Sequence, residues 1–133
     1  MENKQHTNII NAATILLIST ANADQQIDKE EIKSIKEIIQ DFFSLEKEQT
    51  YLAVENAIIE FKKSTSFFSY GEILNQHFNY QDKIDFIFCV FEVAYADQKL
   101  HFKEQHLIKQ IASILNVEHR DLIKVKLGMK KYL

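Results

Sequence analysis

Apolar residues recur at helical intervals along almost the whole of this chain. Ile32, Ile35, Ile39 and Phe42, with Ile38 alongside, make a wide stripe on one face of a helix. Tyr51, Val54, Ile58 and Phe61 repeat that spacing, and Leu107, Ile111, Ile114 and Leu115 follow it less strictly. Ile84 to Ala96 is apolar nearly all round, with only Asp85 and Glu92 charged, and is expected to be the most buried helix. Asp28 and Glu31 have the spacing of a reciprocal cap, worth about 1 kcal/mol at a helix start. Asn79 and Asp82 stand in the same relation ahead of Ile84, with Asp the weaker third member. These signals predict helices over residues 8–23, 29–43, 45–62, 67–78, 81–96, 102–115 and 118–131, with Lys63-Ser64-Thr65-Ser66 as the most flexible connector.

Two of the helix–turn–helix units are copies of one another. Sliding the chain by 97 − 24 = 73 positions lays Ala23-Asp24-Gln25-Gln26-Ile27-Asp28-Lys29-Glu30-Glu31 over Ala96-Asp97-Gln98-Lys99-Leu100-His101-Phe102-Lys103-Glu104. The shared pattern is Ala-Asp-Gln-x-(Ile/Leu)-x-x-x-Glu. Ile35, Ile38 and Phe42 then fall over Ile108, Ile111 and Leu115, and Leu17 and Ala21 over Val90 and Ala94. Two copies point to a pseudo-symmetric core, since a solenoid needs three or more. Ile27 and Leu100 are each the lone apolar residue of a polar connector, and both are expected to be buried.

Composition narrows the class. There is no proline and there are only two glycines, Gly71 and Gly128, whereas strand-rich domains need many tight turns. The expectation is an all-α, compact bundle of about seven helices forming one domain over residues 1–133. The net charge of −3 and the absence of a basic stripe mixed with aromatics argue against a nucleic-acid partner. Arg120 to Lys131 is locally basic, which suits the C-terminal end of a last helix; contact with an acidic surface is the other reading. Ala12 to Ile18 followed by Ala21-Asn22-Ala23 has some features of a signal peptide. However, Asn11 opens the apolar run, the leading segment carries one lysine offset by a glutamate, and the same kind of segment recurs mid-chain. It is read as the first helix. No run reaches the length of a transmembrane span, and the single Cys89 agrees with a reducing compartment, so a cytoplasmic location is expected.

Most catalytic arrangements fail on spacing. His101 and His106 are five apart, where a zinc-protease helix needs histidines four apart. No histidine has a glutamate three residues before it, as di-iron bundles require. Cys89 sits in an apolar run with no histidine partner, which predicts an inert thiol. The turn carboxylates remain. Asp24 and Asp97 lie at the C-terminal ends of apolar helices, where the macrodipole disfavours an anion. Either each aspartate accepts turn N–H groups while Glu31 and Glu104 cap the following helices, or these groups converge on a hard cation, Ca²⁺ or Mg²⁺. In the second reading the ligands are Asp24, Asp28 and Glu31 in the first copy and Asp97 and Glu104 in the second. An EF-hand is excluded, because the sixth position from Asp24 is Lys29 and the twelfth is Ile35.

The doubled turn resembles the hallmark of the tellurite-resistance TerB family, which is shared with the N-terminal region of certain membrane-anchored DnaJ-like co-chaperones. The matching positions are Ala23, Asp24, Ile27 and Glu31, then Ala96, Asp97, Leu100 and Glu104. Gln25 and Gln98 depart from the Gly usual there, which would permit a left-handed backbone. The resemblance implies a seven-helix, cytoplasmic, non-enzymatic domain. It also implies a protein-interaction or scaffold role in a bacterial stress-response or membrane-associated assembly. A protein partner is expected, with a second copy of the chain among the candidates. It does not imply that the chain confers tellurite resistance. The alternative is an enzyme or small-molecule binder using a pocket between the repeats, near Tyr95 or His106.

Overall fold

The computed structural model describes residues 4–22, 27–63, 67–95 and 102–130. Among them are seven α-helices and no strand: α1 (Lys4–Ala21), α2 (Lys29–Phe42), α3 (Lys47–Lys63), α4 (Phe67–His77), α5 (Tyr80–Ala94), α6 (Phe102–Ile114) and α7 (His119–Lys130). Each lies within a few residues of its predicted span.

The central helix is α1, not α5 as its hydrophobicity suggested. It packs against α2, α3, α4, α5 and α6, while α7 rests on α5. Small residues explain the exchange. Ala12, Ala13 and Ala21 let neighbours approach α1 closely, and Thr14 and Thr20 are buried beside them. Those hydroxyls are satisfied within the helix: Thr14 donates to the Ile10 carbonyl at 2.7 Å and Thr20 to that of Leu16 at 3.0 Å. By contrast, Phe88, Cys89 and Glu92 leave one side of α5 half-exposed.

The repeat is visible in boundaries and burial alike. The offset of 73 carries the last residue of α1, Ala21, onto the last of α5, Ala94, and the first of α2, Lys29, onto the first of α6, Phe102. Each buried residue of α5 (Phe86, Ile87, Val90, Phe91, Val93 and Ala94) falls on a buried residue of α1. Helices α2 and α6 also stop alike. Ser44 (φ 53°) and Asn116 (φ 58°) turn left-handed, and the following N–H bonds back, Leu45 to Gln40 at 3.0 Å and Val117 to Ala112 at 2.9 Å. Both capping boxes form. The Asp28 side chain accepts the Glu31 N–H at 2.8 Å and the Glu31 side chain accepts the Asp28 N–H at 3.2 Å. Asn79 and Asp82 do the same at the head of α5.

Side chains tie the second half together. Asn75 of α4 accepts from Lys83 of α5 at 2.7 Å and from Asn116, just past α6, at 3.2 Å. The Tyr80 hydroxyl donates to Asp121 and accepts the Glu118 N–H at 3.0 Å, joining the start of α5 to the start of α7. Gly71 lets α4 meet α6, since a Cβ there would lie 2.6 Å from Ile114 Cγ2.

Candidate functional site

The first acidic turn is described from Ile27 onward. Asp28 is exposed and Glu31 is buried, each with one carboxylate oxygen on the other's backbone N–H. In the second copy, Glu104 is buried in the first turn of α6. Asp24, Asp97, Leu100 and His101 lie outside the described residues. Among the described residues no three His, Cys, Asp or Glu side chains stand close enough to hold a metal ion. Among the described residues every buried side-chain nitrogen and oxygen has a hydrogen-bond partner. Ile27 is half-buried and packs on the core, less enclosed than expected for a residue pinning the turn.

A groove that sequence patterning did not locate opens between α1 and the head of α3. Its volume is about 380 Å³, and Ile10, Leu45, Leu52 and Ala53 form its apolar surface. The remaining lining residues, Thr7, Asn8, Asn11, Gln49 and Asn56, are polar and uncharged. Asn11 donates its amide N–H to the Glu60 carboxylate across the two helices. Gln49 accepts the Glu46 N–H at 2.9 Å, capping α3. The one sequence signal for this site is Asn11, a carboxamide at the head of an otherwise apolar run.

Leu52 of the groove and Ile59, seven residues further along α3, share one exposed face of that helix. Tyr51, Leu52 and Ile59 of α3 are each 53% exposed and Phe68 of α4 is 62% exposed. Lys36 of α2 lies over the Tyr51 ring at 5.4 Å in a cation–π contact.

The places suggested for a pocket between the repeats are sparse. Tyr95 stacks on Phe91 at a ring separation of 6.4 Å, and His106 is exposed. The nearby hollow beside Phe91, Gln105 and Ile108 has a volume of about 30 Å³, far below the several hundred that ligand pockets have. On the α2–α5 side, Cys89 and Glu92 share a shallow hollow with Ser34, Glu37 and Asp41. Burial, with smaller contributions from Glu92, Asp85 and Asp41, pushes the Cys89 thiol up to about 12, so it is protonated and unreactive at neutral pH. Burial and the charges of Asp41 and Glu37 also raise the Glu92 carboxyl.

No helix among the described residues is long and apolar enough to cross a membrane. The family model described as tellurite resistance protein TerB matches residues 11–127, nearly the whole helical array. No curated protein and no solved structure gives a significant match.

Proposed function

The chain belongs to the tellurite resistance protein TerB family, and we propose that it is a non-catalytic protein-interaction module. Its setting would be a bacterial stress-response or membrane-associated assembly. The observation that carries this reading is the row of exposed apolar side chains on α3, where Tyr51, Leu52 and Ile59 are more than half exposed beside the groove, with Phe68 of α4 exposed as well. Scattered single apolar residues are ordinary on protein surfaces, whereas neighbouring ones beside a groove mark a docking face. A photo-crosslinking amino acid placed at Leu52, Ile59 or Phe68 in the native cell tests it. Discrete adducts from these positions, and none from exposed Lys33 or Lys103, support the reading; an adduct of twice the chain's mass identifies a second copy. Equal labelling from all positions overturns it.

Divalent-cation binding forms the second part of the proposal. Asp24, Asp28 and Glu31 would hold Ca²⁺ or Mg²⁺ in the first turn, with Asp97 and Glu104 as their counterparts in the second. Asp28 and Glu31 each have one oxygen engaged in the capping box, so a cation there would compete with the cap for these carboxylates and would need Asp24 as well. Millimolar Ca²⁺ or Mg²⁺ should then raise the melting temperature by mass action, and Asp24→Asn should remove that rise. Absence of any rise assigns these carboxylates to helix capping alone.

A further inference from the structure

We propose that the groove between α1 and α3 binds an extended, uncharged peptide segment of a partner protein, holding its backbone with the carboxamides of Asn8, Asn11 and Asn56. This rests on the interaction-module reading and names the occupant of that surface.

Charge and hydrogen-bonding complementarity select the occupant. None of the nine lining residues is charged, in a chain where 26% of residues are. A charged ligand would lose hydration against Ile10, Leu45, Leu52 and Ala53 and meet no counter-charge among the lining residues, the adjoining Glu60 carboxylate being already engaged by Asn11, so the ligand is neutral. The side chains of Asn8 on α1 and Asn56 on α3 are exposed and make no hydrogen bond with another described residue. Asn11 is oriented by Glu60: a carboxylate only accepts, so the Asn11 nitrogen faces Glu60 and its oxygen is left as an acceptor. The walls therefore offer both donors and acceptors above an apolar floor.

Such walls match a peptide in extended form. A helical ligand satisfies its own N–H and C=O groups and has no use for carboxamides on two sides. An extended segment presents those groups unpaired, alternating with side chains that reach the floor. The surface also continues beyond the groove. Leu52, Asn56 and Ile59 share one face of α3, and Leu52 and Ile59 are equally exposed at 53%. Seven residues of helix span about 10 Å, the length of about three residues of extended chain. The occupant is accordingly a short run with aliphatic side chains at alternate positions and small uncharged residues between them.

The test pans a random 12-residue peptide phage library on the full chain, then measures the enriched peptides in solution by fluorescence polarisation. Expected are uncharged sequences with alternating Leu, Ile or Val. Leu52→Glu, and Asn8→Ala combined with Asn56→Ala, should each weaken binding about tenfold or more, a loss of about 1.4 kcal/mol. All three positions are exposed, and a melting curve for each variant checks that the fold is kept. N-methylation of the peptide's central amides should cause a similar loss. Binding that ignores N-methylation but is lost in Leu52→Glu overturns the extended-peptide inference while leaving the surface as a docking face. Failure to enrich any peptide, enrichment of charged sequences, or binding indifferent to all the variants also overturns it. The crosslinking at Phe68 and Ile59 judges the broader reading separately.

Discussion

Glu31 and Glu104 stand 104 − 31 = 73 residues apart in the first turns of α2 and α6, and at 3% and 1% exposure they are the only buried charged side chains among the described residues. A carboxylate is costly to bury unless it is hydrogen-bonded, and Glu31 is held by the Asp28 N–H. The repeat therefore preserves a buried acceptor at each helix entrance as well as an apolar stripe.

Glu31→Ala removes the acceptor of the Asp28 N–H, and Glu104→Ala removes the buried carboxylate at the equivalent helix entrance. Glu31→Ala and Glu104→Ala are each expected to cost about 1–3 kcal/mol in urea unfolding. The exposed neighbours Glu30→Ala and Lys103→Ala should stay within about 0.5 kcal/mol of the parent. If all four variants unfold alike, the buried pair has no structural role.

The two glycines should respond in opposite directions. A Cβ at Gly71 would collide with Ile114, so Gly71→Ala is expected to force α4 from α6 at a cost of about 1–3 kcal/mol. A Cβ at Gly128 meets nothing within 4 Å, and α7 has no left-handed glycine, so Gly128→Ala should add about 0.5–1 kcal/mol through helix propensity. Thermal melts of the two variants decide it. A stabilised Gly71→Ala would show that Ile114 moves aside freely.

The helices and the repeat were legible because their signals are local: apolar spacing, the Asp28–Glu31 and Asn79–Asp82 caps, and a copied turn. Centrality was not. Hydropathy favours Phe-rich α5, yet α1 is enclosed because its small residues admit neighbours and its Thr hydroxyls return to their own helix. The groove was equally hidden. Asn8 and Asn56 belong to different helices, and only the packing of α1 on α3 brings them to one site. Of the five turn carboxylates, Asp28 and Glu31 are placed in a cap and Glu104 in the first turn of α6, while Asp24 and Asp97 fall outside the described residues.

Cys89 should behave as a packing residue. With its thiol pushed up to about 12, almost none is thiolate at pH 8. Iodoacetamide labelling of the folded chain at that pH should run about tenfold or more slower than labelling of the urea-unfolded chain. Equal rates would show a thiolate that burial does not suppress.

Glu92 sets a pH dependence of definite sign. Its carboxyl is raised from the ordinary 4.5 mainly by burial, then by Asp41 and Glu37. The folded chain therefore binds this proton more tightly than the unfolded chain does. The stabilisation is fully present below 4.5 and is lost as pH rises through the folded value, so at neutral pH the ionised Glu92 opposes folding. Glu92→Gln keeps the shape and removes the charge. It should melt above the parent at pH 7, and the gap should narrow as the pH is lowered toward 4. Desolvation also predicts that the gap persists in high salt, which screens the contribution of Asp41 and Glu37 but not burial. A gap that vanishes in 1 M salt would give the repulsion first place, and a variant less stable than the parent at pH 7 would reverse the sign.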